Sequence, residues 1–111
     1  MEGSQSMDER AVGILEVYGL CCAFIAADAG CKAANVTLEP FDKNKPANAD
    51  ALPVPLLVTI KFRGSVEDVT EAVEAGIQTA EALTGVVQSH IIPRPTQDTL
   101  KMLNISGFDI N

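Results

Sequence analysis

Cys21, Cys22, Cys31 and His90 are the side chains of this 111-residue chain that could act as nucleophiles or soft metal ligands. Glu67, Glu71 and Glu74 are the carboxylates whose spacing could serve proton transfer. The pattern argues against each chemistry. Zinc sites built on cysteine use short spacings such as C-x-x-C; none is present, and His90 is the sole histidine. Nucleophilic catalysis needs a base oriented by a third group, and no Ser, Cys or Asp stands in such a signature around His90. Walker A, G-x-G-x-x-G and H-E-x-x-H patterns are absent. The glutamates fall on one predicted helix, where exposed carboxylates keep ordinary acidity. Cys21 and Cys22 precede Cys31 by nine or ten residues on another predicted helix, about 14 Å along its axis. A disulfide needs Cα atoms within about 7 Å, so none is expected within the chain. The cysteines read as small buried apolar side chains. No catalytic residue, metal or cofactor is expected.

The remaining candidates are charges suited to contacts. Asp28 and Lys32 stand four residues apart, where helical side chains meet. Arg94 lies between Pro93 and Pro95, so it loses little backbone freedom on binding. Its planar fork suits carbonyl oxygens across an interface.

The elements that must position these residues follow from hydrophobic periodicity. Residues 11–17 read as a strand. Leu20 to Ala34 read as a helix so rich in alanine, and so poor in polar residues, that both of its sides need cover. A second copy of the chain is the natural cover for one side. Asn35 to Phe41 read as a strand with an edge or bulge at Pro40, which lacks an N–H donor. Asp42 to Pro55 read as a long loop. Leu56 to Arg63 alternate, with Val58, Ile60 and Phe62 on a buried face and Leu57, Thr59, Lys61 and Arg63 on a polar one. Ser65, with Asp68 three residues on, caps a helix whose core stripe is Val66, Val69, Val73, Ile77, Ala80 and Leu83. Gly85 ends it. Residues 86–92 form the last strand, and Thr96 caps a short helix to Leu103. The order β-α-β-β-α-β plus a C-terminal helix is ferredoxin-like, an α+β fold with an antiparallel sheet and helices on one face.

Eight basic residues against fifteen acidic ones give a net charge of −7, which argues against nucleic acid as a partner. No apolar run reaches the roughly 18 residues of a membrane span. The polar, acidic start is unlike a targeting leader, so a cytoplasmic protein is expected. The expected organisation is a disordered segment at 1–9, one domain at 10–104 and a tail at 105–111.

Two motifs carry a family resemblance. Ala26 to Val36 reads A-A-D-A-G-C-K-A-A-N-V, and Ile92 to Pro95 reads I-P-R-P. Both resemble the shell proteins of bacterial microcompartments, and the likeness runs from about Val12 to Leu103. The resemblance implies a BMC domain that forms cyclic homohexamers. These tile edge to edge into a selectively permeable sheet around encapsulated enzymes, in the cytoplasm. It implies self, other shell proteins and the encapsulated enzymes as partners, with no enzyme activity. It places Lys32, Asn35 and Arg94 between neighbouring hexamers. Asp28, Cys21, Cys22 and Ile25 would make contacts within the hexamer or between helices.

The chain departs from the family in two places. Ile25 stands where members often carry a glutamate, which suggests deeper cover there. The connection containing Lys45, Pro46, Ala47, Asn48, Ala49, Asp50 and Ala51 is long and glycine-free, where hexameric members use a short glycine-and-serine loop to line the pore. It has no cysteine, so no iron–sulfur cluster is expected. The alternative is a trimeric small-ligand-binding signalling protein of ferredoxin-like fold. The long loop suits it, but the chain lacks a basic or glycine-rich phosphate cradle.

Overall fold

Branched and apolar residues make two central strands, and everything else is arranged around them. The computed structural model describes residues 10–44 and 56–105. The elements are β1 (Ala11–Tyr18), α1 (Leu20–Ala33), β2 (Thr37–Leu38), β3 (Asp42–Asn44), β4 (Leu57–Gly64), α2 (Val66–Glu81), β5 (Val86–Ile92) and α3 (Gln97–Leu103). The sheet runs β2-β4-β1-β5, with β3 also on β4, and the pairs are antiparallel. This is the ferredoxin-like α+β order read from the sequence.

The expected second strand is broken at Pro40. Leu38 faces Phe62 and Asp42 faces Thr59, so Glu39-Pro40-Phe41 span only Ile60 and Lys61 on β4. The extra residue is a bulge at the residue with no donor, on an edge strand. The chain then rejoins β4, so Asp42–Asn44 is strand β3 rather than the start of the loop. The candidate pore residues Lys45, Pro46, Ala47, Asn48, Ala49, Asp50 and Ala51 lie outside the described residues.

The main core lies between the sheet and the pair α1–α2. Leu15, Val17, Val58, Ile60 and Phe62 point into it, beneath Cys22, Ala23, Ala26, Val69, Ala72, Val73 and Ala80. Small residues bring the layers together. A Cβ at Gly30 would lie 2.6 Å from the Phe62 ring and 2.9 Å from the Ala72 carbonyl oxygen. The alanine face of α1 is thus used inside the protomer. On α2 the stripe holds at Val69, Val73 and Ala80, but Val66 at its start is exposed, Ile77 is half-buried, and Leu83 lies exposed in the turn beyond the helix. Ser65 Oγ accepts the Asp68 amide at 3.0 Å, the expected cap. Gly85, at φ 108°, closes the turn beyond α2, its amide donating to the Ala80 carbonyl.

The opposite face of the sheet corrects the expectation of a polar, open surface and of helices on one side. Helix α3 folds over it, and Leu100 and Leu103 pack on Val12, Ile14 and Ile92. Lys61 and Arg63 are buried there, 4% and 2% exposed.

Candidate assembly surface

Helix α1 divides its surface by spacing. Cys22, Ala23, Ala26, Ala27 and Gly30 face inward. Leu20, Phe24, Ala27, Asp28 and Cys31 line an open groove whose other wall is Leu38, Glu39, Pro40 and Phe41, with a volume of about 590 Å³. Phe24 and Phe41 meet across it, ring centroids 5.4 Å apart and tilted by 48°, a favourable aromatic geometry. The bulge at Pro40 shapes the second wall. In the protomer Phe24 remains 60% exposed, Ile25 44% and Leu38 42%. An apolar helix surface beside an apolar edge is the kind of patch that marks an interaction site.

This geometry corrects one reading. Cys22 is buried as expected, but Cys21 and Cys31 are exposed in the protomer. They sit on the outward side of α1, which the small-residue pattern alone does not distinguish from the inward one. Partial burial and the nearby Asp28 carboxylate push the Cys31 thiol above its usual range. Ile25 is 44% exposed in the protomer.

Lys32 bonds Asp28 at 2.7 Å, the expected i,i+4 pair, and both are exposed. That bond raises the Lys32 pKa, so Lys32 stays cationic. Asn35 is exposed, its amide donating to Asp68 Oδ1 at 3.4 Å. Arg94 and Pro93 are exposed, while Pro95 is buried and anchors the turn. The topology gathers these residues at one end of the sheet. Gly64 pairs with Ala11 and Ile92 with Val12 at that end, and the Asn35 carbonyl approaches Gly64. Lys32, Asn35 and Arg94 therefore lie on one rim, opposite the turn that joins β1 to α1. His90 is exposed on β5. Among the described residues no three His, Cys, Asp or Glu side chains group as a metal site, and no helix is long and apolar enough to cross a membrane.

Sequence reasoning missed the groove's second wall and the buried charges. Phe41 was legible as apolar, but only the bulge turns it toward Phe24. Arg63 Nη1 donates to Glu39 Oε2 at 3.1 Å, and its other nitrogens reach the Ala11 and Arg10 carbonyls at 3.3 and 3.1 Å.

Comparison with known proteins shows the family. The BMC domain family matches residues 11–95. The bacterial microcompartment shell protein PduA of Citrobacter freundii is 38% identical over 97 residues, covering 87% of this chain and 95% of PduA. The carboxysome shell protein CcmK2 of Thermosynechococcus vestitus is 36% identical, covering 86% of each chain. Among solved structures, a microcompartment protein from Desulfitobacterium hafniense superposes with a TM-score of 0.65 at 25% identity. That match covers 86% of this chain and 47% of the Desulfitobacterium one, so this chain spans about half its length.

Proposed function

The chain belongs to the BMC domain family, and from that premise we propose that it is a structural subunit of a microcompartment shell, closing into a cyclic homohexamer that tiles edge to edge. The carrying observation is the apolar outer surface of α1 with its groove, where Phe24 is 60% exposed. A ring interface is heterologous: each subunit offers one surface to the next and closes by rotation. Such an interface needs an apolar patch that the protomer does not itself cover.

Tiling is a separate step and draws on the rim. Six copies at −7 each carry −42, so rings repel one another in water. Lys32 and Arg94 are exposed cations on that rim and offset the repulsion locally, with Arg94 held by the anchored Pro95. The layer then acts as a barrier with passage through or around the ring axis, and its partners are copies of itself, other shell proteins and the enclosed enzymes. No residue in this reading performs a chemical step.

Light scattering after size exclusion tests the ring. Six chains of 11.7 kDa give about 70 kDa, and Phe24→Glu should shift the peak toward the monomer. A trimer of about 35 kDa would favour the ligand-binding alternative, and a wild-type monomer would sink the ring. For tiling, Arg94→Ala should leave the ring mass unchanged and abolish larger assemblies. Assembly indifferent to both Arg94→Ala and ionic strength would remove the rim from the mechanism.

A further inference from the structure

Lys61 lies in β4 and sends its ammonium onto the sheet face opposite α1 and α2, where it is 4% exposed. Nζ donates to the Leu103 carbonyl at 3.1 Å and to the Ile105 carbonyl at 3.0 Å. The first is an orphan carbonyl in the last turn of α3, and the second lies just beyond it. A cation there also meets the negative end of the helix.

Among the described residues, little else holds α3 down. Its apolar attachment is Leu100 and Leu103 on Val12, Ile14 and Ile92, while Met102 and Ile105 are exposed at 69% and 55%. A seven-residue helix has no stability alone. The other side of Lys61 faces the bulged edge. Asp42 pairs with Thr59, which puts it diagonal to Lys61 on the same sheet face. The Glu39 amide donates to the Lys61 carbonyl at 2.9 Å. Burial disfavours the ammonium and lowers its pKa, while the Asp42 and Glu39 carboxylates oppose that shift.

We propose that Lys61 is a latch that holds α3 closed over the sheet and couples its opening to strand β3 through Asp42. When α3 lifts, the ammonium regains water and the two carbonyls lose their donor, so the strap opens without unfolding the core beneath. Lys61 here is a positioning residue.

Amide hydrogen exchange on the full-length, assembled protein tests this. Lys61→Met keeps the apolar stem and removes both donors, and it should speed exchange across residues 97–105 by about tenfold. Exchange in β1 and α2 should not change. Asp42→Asn should speed the same α3 amides by a smaller factor, and should add nothing in the Lys61→Met background. Unchanged exchange at 97–105, or uniform acceleration across the whole chain, would overturn the latch. Should Lys61→Met fail to fold, Lys61 is a core element and the proposal also fails. Asp42→Asn keeps the coupling falsifiable on its own, since an equal effect with and without Lys61 would remove it.

Discussion

On the α1–α2 side of the sheet, Leu15, Ile60 and Phe62 are buried under alanine, glycine and valine. On the α3 side, Lys61, Arg63 and Glu16 are buried almost as deeply, at 4%, 2% and 8%. The two sides reach the same depth by different means. The first relies on contact, with backbones close enough that no Cβ fits at Gly30. The second relies on bonds. Lys61 holds two carbonyls, Arg63 holds two more and Glu39, and Gln88 Nε2 donates to Glu16 at 2.9 Å. A packed side fails by leaving holes or clashes; a bonded side fails by leaving partners unmet. The comparison also separates roles. The packed side fixes the domain and leaves the outer surface of α1 exposed, while the bonded side ties down the chain's own edges.

The largest effect that tests this division is Phe62→Ala, expected to cost about 3–5 kcal/mol in denaturant unfolding because the ring is fully buried in the main core and its loss leaves a cavity. A loss under about 1 kcal/mol would mean the packed side is looser than its geometry. Gly30→Ala comes next. Its methyl must displace the Phe62 ring and the Ala72 carbonyl, so a destabilisation of about 1–3 kcal/mol is expected by the same measurement. Stabilisation there would show that α1 sits further from α2 than described. Ser65→Ala removes one accepted amide at the start of α2 and should cost about 1 kcal/mol. It touches neither side directly, so it calibrates the other two.

How far the sequence shows this division depends on which neighbour each signal needs. Strands β1, β4 and β5 and helices α1, α2 and α3 were legible because period and capping residues act locally: Ser65 and Thr96 each cap as read. Pro40 announced the bulge for the same reason. Strand β3 was not legible, because Asp42-Lys43-Asn44 has no strand pattern and owes its pairing to β4 alongside. Lys61 and Arg63 read as exposed, since alternation reports one strand and says nothing of a helix folding over it forty residues later. Cys21 and Cys31 read as buried because composition cannot say which side of an alanine-rich helix faces the sheet. The α2 stripe failed at Val66 and Leu83 because counting apolar residues misses Ala72 and Gly76, the small residues where α1 comes close. The apolar character of the outer surface of α1 was legible from its composition; the groove's second wall was not.

The smallest expected effect bears on the bonded side and concerns pH. Burial lowers the Lys61 pKa in the folded chain below the ordinary value of 10.5. Between those two values the unfolded chain binds more protons than the folded one, so this group makes stability rise with pH. Its burial penalty is fully present below the folded value and is gone above the unfolded one. A neutral amine keeps two N–H donors, enough for Leu103 and Ile105, so the carbonyl bonds outlast the charge. The Cys31 thiol, raised in the folded chain, works oppositely and makes stability fall through its own alkaline window. Lys32, raised by its bond to Asp28, adds a slope of the same sign as Cys31. The wild-type curve alone therefore mixes three slopes, and the difference between wild type and Lys61→Met isolates one. Denaturant midpoints measured from pH 7 upward should show wild type gaining on Lys61→Met as the alkaline range is entered. A constant difference would place the Lys61 ammonium in water, and α3 would then be held by Leu100 and Leu103 alone.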